Sequence, residues 1–282
     1  MSIGIVTDSN CDLSAEIISC YGISIVPLYI NIGSESYIDG VELSRREFYR
    51  NLPGYDHHPT TSVPGQGKFQ EAYDRLASEG VTEILSIHIS VSLSAVLNSA
   101  RLGAQKARVP VTVFDSGQLT LGTGLQVLAA AEAAAAGAPM AEIVGLIEDL
   151  SARTHTFAAL DTVEFLRRSG RLSRFQSSLA SVLSIKPLLK MHRGDMDMER
   201  VRTRRRSIQR LMELVSDLGT LEQLALVHTG APERAQALHL QAINLFPAGK
   251  EILSAEVTPV IGAHVGPGAV GFTAVQTSGI GF

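Results

Sequence analysis

The chain has 282 residues, enough for about two domains and for burial of roughly three quarters of its unfolded surface without a disulfide or metal staple. Hydrophobic residues make up 45%, charged residues 18% and aromatic residues 5%, with no Trp, which excludes a disordered chain. The net charge of −4 excludes a generally basic nucleic-acid binder. Two cysteines, Cys11 and Cys20, are too few for a disulfide framework or a four-ligand zinc site and read as reduced thiols of a cytoplasmic protein. The N-terminus lacks the basic stretch of a secretory signal. The alanine-rich run 121–138, interrupted by Glu132 and Gly137, reads as a helix rather than a membrane span.

Residues 3–7 are a short, β-branched apolar run that ends in Asp8-Ser9-Asn10, and read as the first strand. Residues 23–32 read as a second, with Pro27 at its edge or end. A helix is expected over Gln66–Ser78, where Phe69, Tyr73 and Leu76 fall on one face. Strands at 83–89 and 111–114 then alternate with helices at 93–107 and 121–136. This order predicts an α/β fold, with a parallel sheet covered by helices in three layers. Asp8-Ser9, the serines of 90–94 and Asp115-Ser116 gather at the carboxyl ends of these strands, the edge where open α/β sheets bind ligands. The same residue types cap helices, so the pattern leaves both roles open.

The second half changes character. After a helix ending near Arg153, strands are expected at 155–160, 188–192, 224–228, 257–261 and 269–276. Helices are expected at 162–168, 175–184, 204–218 and 233–245. The last two strands are close enough for an antiparallel pair, which predicts a two-layer α/β domain with a mixed sheet and helices on one face. The boundary is placed near residue 155, giving an N-terminal domain 1–155 and a C-terminal domain 156–282.

Several catalytic fingerprints are missing from the sequence: the Walker loop, His-Glu-x-x-His, the Gly-x-Ser-x-Gly elbow and Cys-x-x-Cys. Gly266-Pro267-Gly268-Ala269-Val270-Gly271 matches a dinucleotide fingerprint, but too little chain follows it to complete the βαβ unit. Its glycines read as a tight turn between strands. His88 and His228 sit in apolar strands as core histidines do, whereas His264 precedes the glycine-proline turn, where it can reach a ligand carboxylate or a serine hydroxyl. The arginine-rich stretch 200–206 lies beside Asp195, Asp197 and Glu199 and has no interleaved aromatic residue, so a solvated helix start or protein-docking surface is read there rather than a nucleic-acid site.

Taken together, ordered blocks resemble the DegV family, which includes the bacterial fatty-acid-binding FakB subunits. Thr7-Asp8-Ser9 with Asp12-Leu13, Thr61-Ser62-Val63-Pro64, Ile89-Ser90 through Leu93-Ser94, and Asp115-Ser116 are similar to the family's successive N-terminal blocks. Phe165 through Ser173, Ile185-Lys186-Pro187 and His264-Val265-Gly266-Pro267-Gly268 complete the set. The resemblance implies a non-catalytic, cytoplasmic lipid carrier of phospholipid metabolism, without cofactor or metal, holding one long-chain fatty acid such as palmitate as a ligand between its two domains. Thr61, Ser62 and Ser94 are implied as carboxylate ligands, with His264 at the same end of the pocket. A dihydroxyacetone-kinase-like fatty acid kinase subunit is the implied partner, with Arg171 at the surface that meets it, and transient membrane contact is compatible with this role. Val63, Ala95, Val96 and Ser169 depart from the usual pattern. The competing expectation is a serine acyl hydrolase using Ser94 as nucleophile and His264 as base.

Overall fold

The computed structural model describes residues 2–174 and 185–278. The chain opens with β1 (Ile3–Asp8), α1 (Ala15–Cys20) and β2 (Ser24–Val26), followed by the hairpin β3 (Tyr29–Ile32) and β4 (Glu35–Ile38). Next come α2 (Arg45–Asn51), β5 (Thr60–Ser62), α3 (Gln66–Ser78), β6 (Glu83–His88), α4 (Val96–Ala104) and β7 (Val111–Asp115). Two helices, α5 (Leu121–Ala135) and α6 (Met140–Arg153), close this half. The parallel sheet has the order β2-β1-β6-β7, and a small antiparallel sheet the order β4-β3-β5. The strand expected over 23–32 is thus two strands in different sheets. Pro27 offers no N–H to a ladder, and the Leu28 N–H turns instead to Ser9 Oγ at 3.3 Å.

The second half contributes β8 (Thr154–Ala159), α7 (Glu164–Arg168), β9 (Lys186–His192), β10 (Asp195–Val201) and α8 (Arg204–Ser216). It continues through β11 (Leu221–His228), α9 (Pro232–Gln241), β12 (Ser254–Glu256), α10 (Pro259–Val265) and β13 (Val270–Gln276). Its sheet is mixed, in the order β10-β9-β8-β13-β11-β12, with β11 and β12 parallel and the other neighbours antiparallel. One face is packed by α8 and α9, and α5 reaches the sheet at β8 and β13. The helix expected at 175–184 lies outside the described residues.

Two sequence expectations are corrected here. Residues 257–261 do not form a strand, because Thr258 caps a helix: its hydroxyl accepts the Val260 N–H at 3.3 Å and Pro259 takes the first turn. A threonine cap followed by proline outweighs the β-branched composition of the run. The last two strands are therefore not a hairpin, and β11 lies between β12 and β13. The glycine-proline turn accordingly joins a helix to a strand. In addition, the acidic stretch before the arginines is strand β10, whose Met196 and Met198 alternate with Asp195, Asp197 and Glu199, a period-2 pattern.

Helix α5 is apolar nearly all round and its first residues, from Leu121 to Val127, are all buried, as expected of a helix enclosed by other layers. Its approach to the turn after β1 needs a glycine: a Cβ on Gly124 would lie 2.3 Å from the Cys11 carbonyl oxygen. One core cluster joins Ile5, Leu85 and Val127 to Val227, Val257 and Ile261, so residues of both halves share an interior.

Candidate functional site: a cavity lined from both halves of the chain

A cavity of about 290 Å³ is lined from both halves of the chain. Leu28, Val63, Ile89, Leu93 and Leu119 come from the first, and Ala158, Leu160, Leu189, Met191, Met196 and Ile261 from the second. The methionines supply a soft, adaptable wall. No Asp or Glu is among the described lining residues, whereas Arg171, Lys190, His228 and His264 are. Lys190 is neutralised at 2.6 Å by Asp197.

Two polar side chains meet in the cavity wall. Thr61 is carried by β5, in register with Ile30. Its Oγ1 lies 2.9 Å from Nε2 of His264, in the last turn of α10. Gly266 ends that helix with φ 79°, and a side chain there would collide with the Phe165 ring, so the turn after His264 needs glycine. Ser94 lines the cavity just ahead of α4, and its hydroxyl accepts the Val96 N–H at 3.4 Å.

The five residues singled out from the sequence are not all brought together. Thr61, Ser94, His264 and Arg171 line the cavity. Ser62 does not: adjacent strand residues face opposite ways, and Ser62 is exposed, with its Oγ accepting from Asn31 Nδ2 at 3.3 Å. Arg171, expected at a partner-facing surface, is half-buried in the cavity wall, where Nη1 donates to the Ser169 carbonyl at 2.8 Å.

Sequence inspection overlooked Asn10, Thr156, His228 and Thr229 as wall residues. Asn10 ends the polar cluster after β1 and His228 ends an apolar strand, both at strand ends that bear on ligands. His228 Nδ1 accepts the Ala231 N–H at 3.2 Å, so a neutral ring carries its proton on Nε2. Burial lowers its pKa, against an opposing pull from Glu233.

A hydrolase is not supported. The Ser94 hydroxyl turns to the backbone while His264 Nε2 is engaged by Thr61. A triad-like chain does exist elsewhere: Asp8 Oδ2 lies 2.9 Å from His88 Nδ1, and His88 Nε2 lies 2.7 Å from Ser86 Oγ. All three residues are 0% exposed, so no substrate reaches them. Among the described residues no group of three His, Cys, Asp or Glu is placed to hold a metal ion, and no helix is long and apolar enough to cross a membrane.

These features define an α/β protein built around a largely apolar cavity with a few polar side chains in its wall, Thr61 and His264 side by side among them, the ordinary recipe of a small-molecule site. The chain belongs to the DegV family, whose family model matches residues 2–277. A DegV domain-containing protein of Streptomyces coelicolor is 38% identical over 273 residues, covering 95% of this chain and 96% of the relative. The solved structure of a Thermus thermophilus DegV family protein, described as fatty acid binding, has 31% identity and a TM-score of 0.88, covering 98% of this chain and 100% of that one. Bacillus subtilis DegV, described as a fatty acid binding protein, has 28% identity and a TM-score of 0.88 over the same shares.

Proposed function

We propose that the protein binds one long-chain fatty acid, such as palmitate, in this cavity, with the carboxylate toward Thr61, Ser94, His264 and Arg171. The observation that carries the reading is a largely aliphatic cavity lined by cations and hydroxyls but by no described carboxylate. Burying about fifteen methylenes at roughly 0.8 kcal/mol each is worth on the order of 12 kcal/mol before ordering costs. The tail therefore dominates affinity, while the head-group contacts set orientation. The relatives described as fatty acid binding support the same reading.

In this reading the chain is a non-catalytic cytoplasmic carrier in two domains, 1–155 and 156–282, with the acid held between them. It presents the carboxylate to a dihydroxyacetone-kinase-like subunit. The carboxylate oxygen attacks the γ-phosphorus of ATP, the bond to ADP breaks, and an acyl phosphate for phospholipid synthesis results. Transient contact with a membrane serves loading and release. Solvent extraction of the gently purified protein followed by mass spectrometry tests the first step. One long-chain fatty acid per chain is expected, and a preparation yielding only nucleotide or no organic ligand overturns the reading.

A further inference from the structure

His155 and His192 stand opposite each other on the ladder between β8 and β9. Both are half-buried, and their rings stack face to face, with centroids 3.9 Å apart and planes within 1° of parallel. His192 Nδ1 donates to the Thr154 carbonyl at 3.0 Å. Gln276 gives its Nε2 to the Leu218 carbonyl at 2.9 Å, which turns its Oε1 to His155 Nε2, also at 2.9 Å. Both neutral tautomers are thereby fixed, and a second proton enters only at His155 Nδ1 and His192 Nε2. Two protonated rings at this spacing repel each other. Burial holds the pKa of His155 below its ordinary value, with His192 acting the same way and the Gln276 bond opposing both. The surrounding charges are largely spent on one another. Lys190 is closed by Asp197 at 2.6 Å, and Arg210 of α8 by Glu199 at 3.0 Å and Glu213 at 3.3 Å, with Asp217 at 3.7 Å. Arg153 of α6 pairs with Asp149 at 2.6 Å and with Glu222 of β11 at 2.7 Å. Asp195, in register with His192, is able to neutralise one imidazolium but not two.

The pair occupies the rung of the β8–β9 ladder next to the Arg193-Gly194 turn of the β9–β10 hairpin. Met191 and Met196, register partners in that hairpin, line the cavity, and Met191 faces away from its neighbour His192. The hairpin tip reaches the first half of the chain through the Gly194 N–H, which donates to the Gly117 carbonyl at 2.8 Å. Movement of β9 away from β8 therefore takes a piece of the cavity wall with it. We infer that the His155–His192 stack is an acid-sensitive latch on this wall: charging both rings below about pH 6 parts β9 from β8 and speeds release of the bound acid. The inference rests on the fatty-acid reading for what is released, but not for the parting of the strands. Once parted, each ring has the ordinary histidine value of about 6.5. The open form thus gains the proton that the stack excludes, and its population rises up to about ten-fold at pH 5.5.

The test follows displacement of a fluorescent long-chain fatty acid by excess palmitate from about pH 7.5 to 5.5. The wild-type off-rate is expected to rise roughly ten-fold, and hydrogen exchange of the β9 amides in lipid-free protein, corrected for its intrinsic pH dependence, should lose protection in parallel. Neither histidine lines the cavity. His155→Gln retains a donor for Gln276 and His192→Asn one for Thr154, and the double variant should hold the off-rate within about two-fold across the range. The ligand carboxyl and His264 titrate in both proteins, so the comparison isolates the stack. Where the double variant fails to fold, His155→Gln alone decides, because one ring has no second charge to repel. A wild-type off-rate and β9 protection that ignore pH, or an acid dependence that survives the substitutions, overturn the latch and leave the fatty-acid reading standing. If no fatty acid binds, that reading falls, and hydrogen exchange of wild type and variant decides the latch by itself.

Discussion

Asp8 and Asp12 flank the same short turn after β1, both buried, and their carboxyls are driven in opposite directions. Asp8 is surrounded by donors on both oxygens and its pKa is lowered despite complete burial. Asp12 is pushed up to about 7, with burial as the main cause and Asp39 adding to it, against the opposing pull of Arg45. Its contacts crowd one oxygen: Arg45 Nη1 at 3.0 Å and the Thr258 N–H at 2.9 Å both reach Oδ1. Burial penalises every carboxylate, and the number and placement of donors decide whether the charge survives. The consequences differ too. The Asp8 cluster braces the sheet edge and orients Asn10, whereas the Asp12 cluster holds the entry to α10. There the Thr258 hydroxyl also donates to Asp39 and Tyr49 Oη to the Val257 carbonyl, and the same helix carries His264.

Removing a partner from the first cluster should have the largest effect. Asp8→Ala leaves His88 and Asn10 without their acceptor in a sealed interior and should cost about 3–5 kcal/mol, read by denaturant unfolding at neutral pH. A loss below 1 kcal/mol would show that the network is dispensable.

The second prediction sets the clusters against each other through pH. Because the folded-state pKa of Asp12 is raised, its contribution is complete below the unfolded value of 3.8 and is lost as pH rises through about 7. The Asp8 contribution has the opposite sign: it is present above 3.8 and lost as pH falls below it. Stability should therefore decline from about pH 4 to pH 8, by up to roughly 4 kcal/mol from Asp12. Asp12→Asn keeps an acceptor for the Thr258 N–H and should flatten the decline. An unchanged slope in that variant would remove Asp12 as its source.

Effects at the polar side chains of the cavity wall should be smaller. Thr61→Val removes the hydroxyl beside His264 and should weaken fatty-acid binding by roughly 1.5–3 kcal/mol, the worth of a hydrogen bond to a charged group, with little change in the melting temperature of lipid-free protein. A stability loss without a binding loss would make Thr61 only a brace for α10. Ser94→Ala should act least on stability, by about 1 kcal/mol or less, since its bond to the Val96 N–H is long. It should impair phosphoryl transfer to the bound acid more than binding, because that step depends on placement. Equal loss in both assays would contradict this assignment.

Periodicity and turn chemistry made the parallel half legible. β1, β6 and β7 are short apolar runs closed by polar residues, and Phe69, Tyr73 and Leu76 mark the buried side of α3. The alternation of β10 was equally present in the sequence but was masked by its charges. Residues 257–261 show the limit of composition: a run rich in β-branched residues turns into the start of a helix once Thr258 caps it and Pro259 takes its first turn.

The ordered blocks by themselves determined the family, because each is a local string whose order survives without any knowledge of contacts. They also marked Thr61, Ser94 and His264, which are distant in sequence and meet at one cavity. Only the tertiary structure decided that Ser62 faces outward, that Arg171 stands in the cavity wall, and that His155 stacks on His192. Each of these depends on which side of a strand or turn faces which neighbour, and on how donors from distant segments are shared. Such facts arise from packing in three dimensions and have no local signature in the chain.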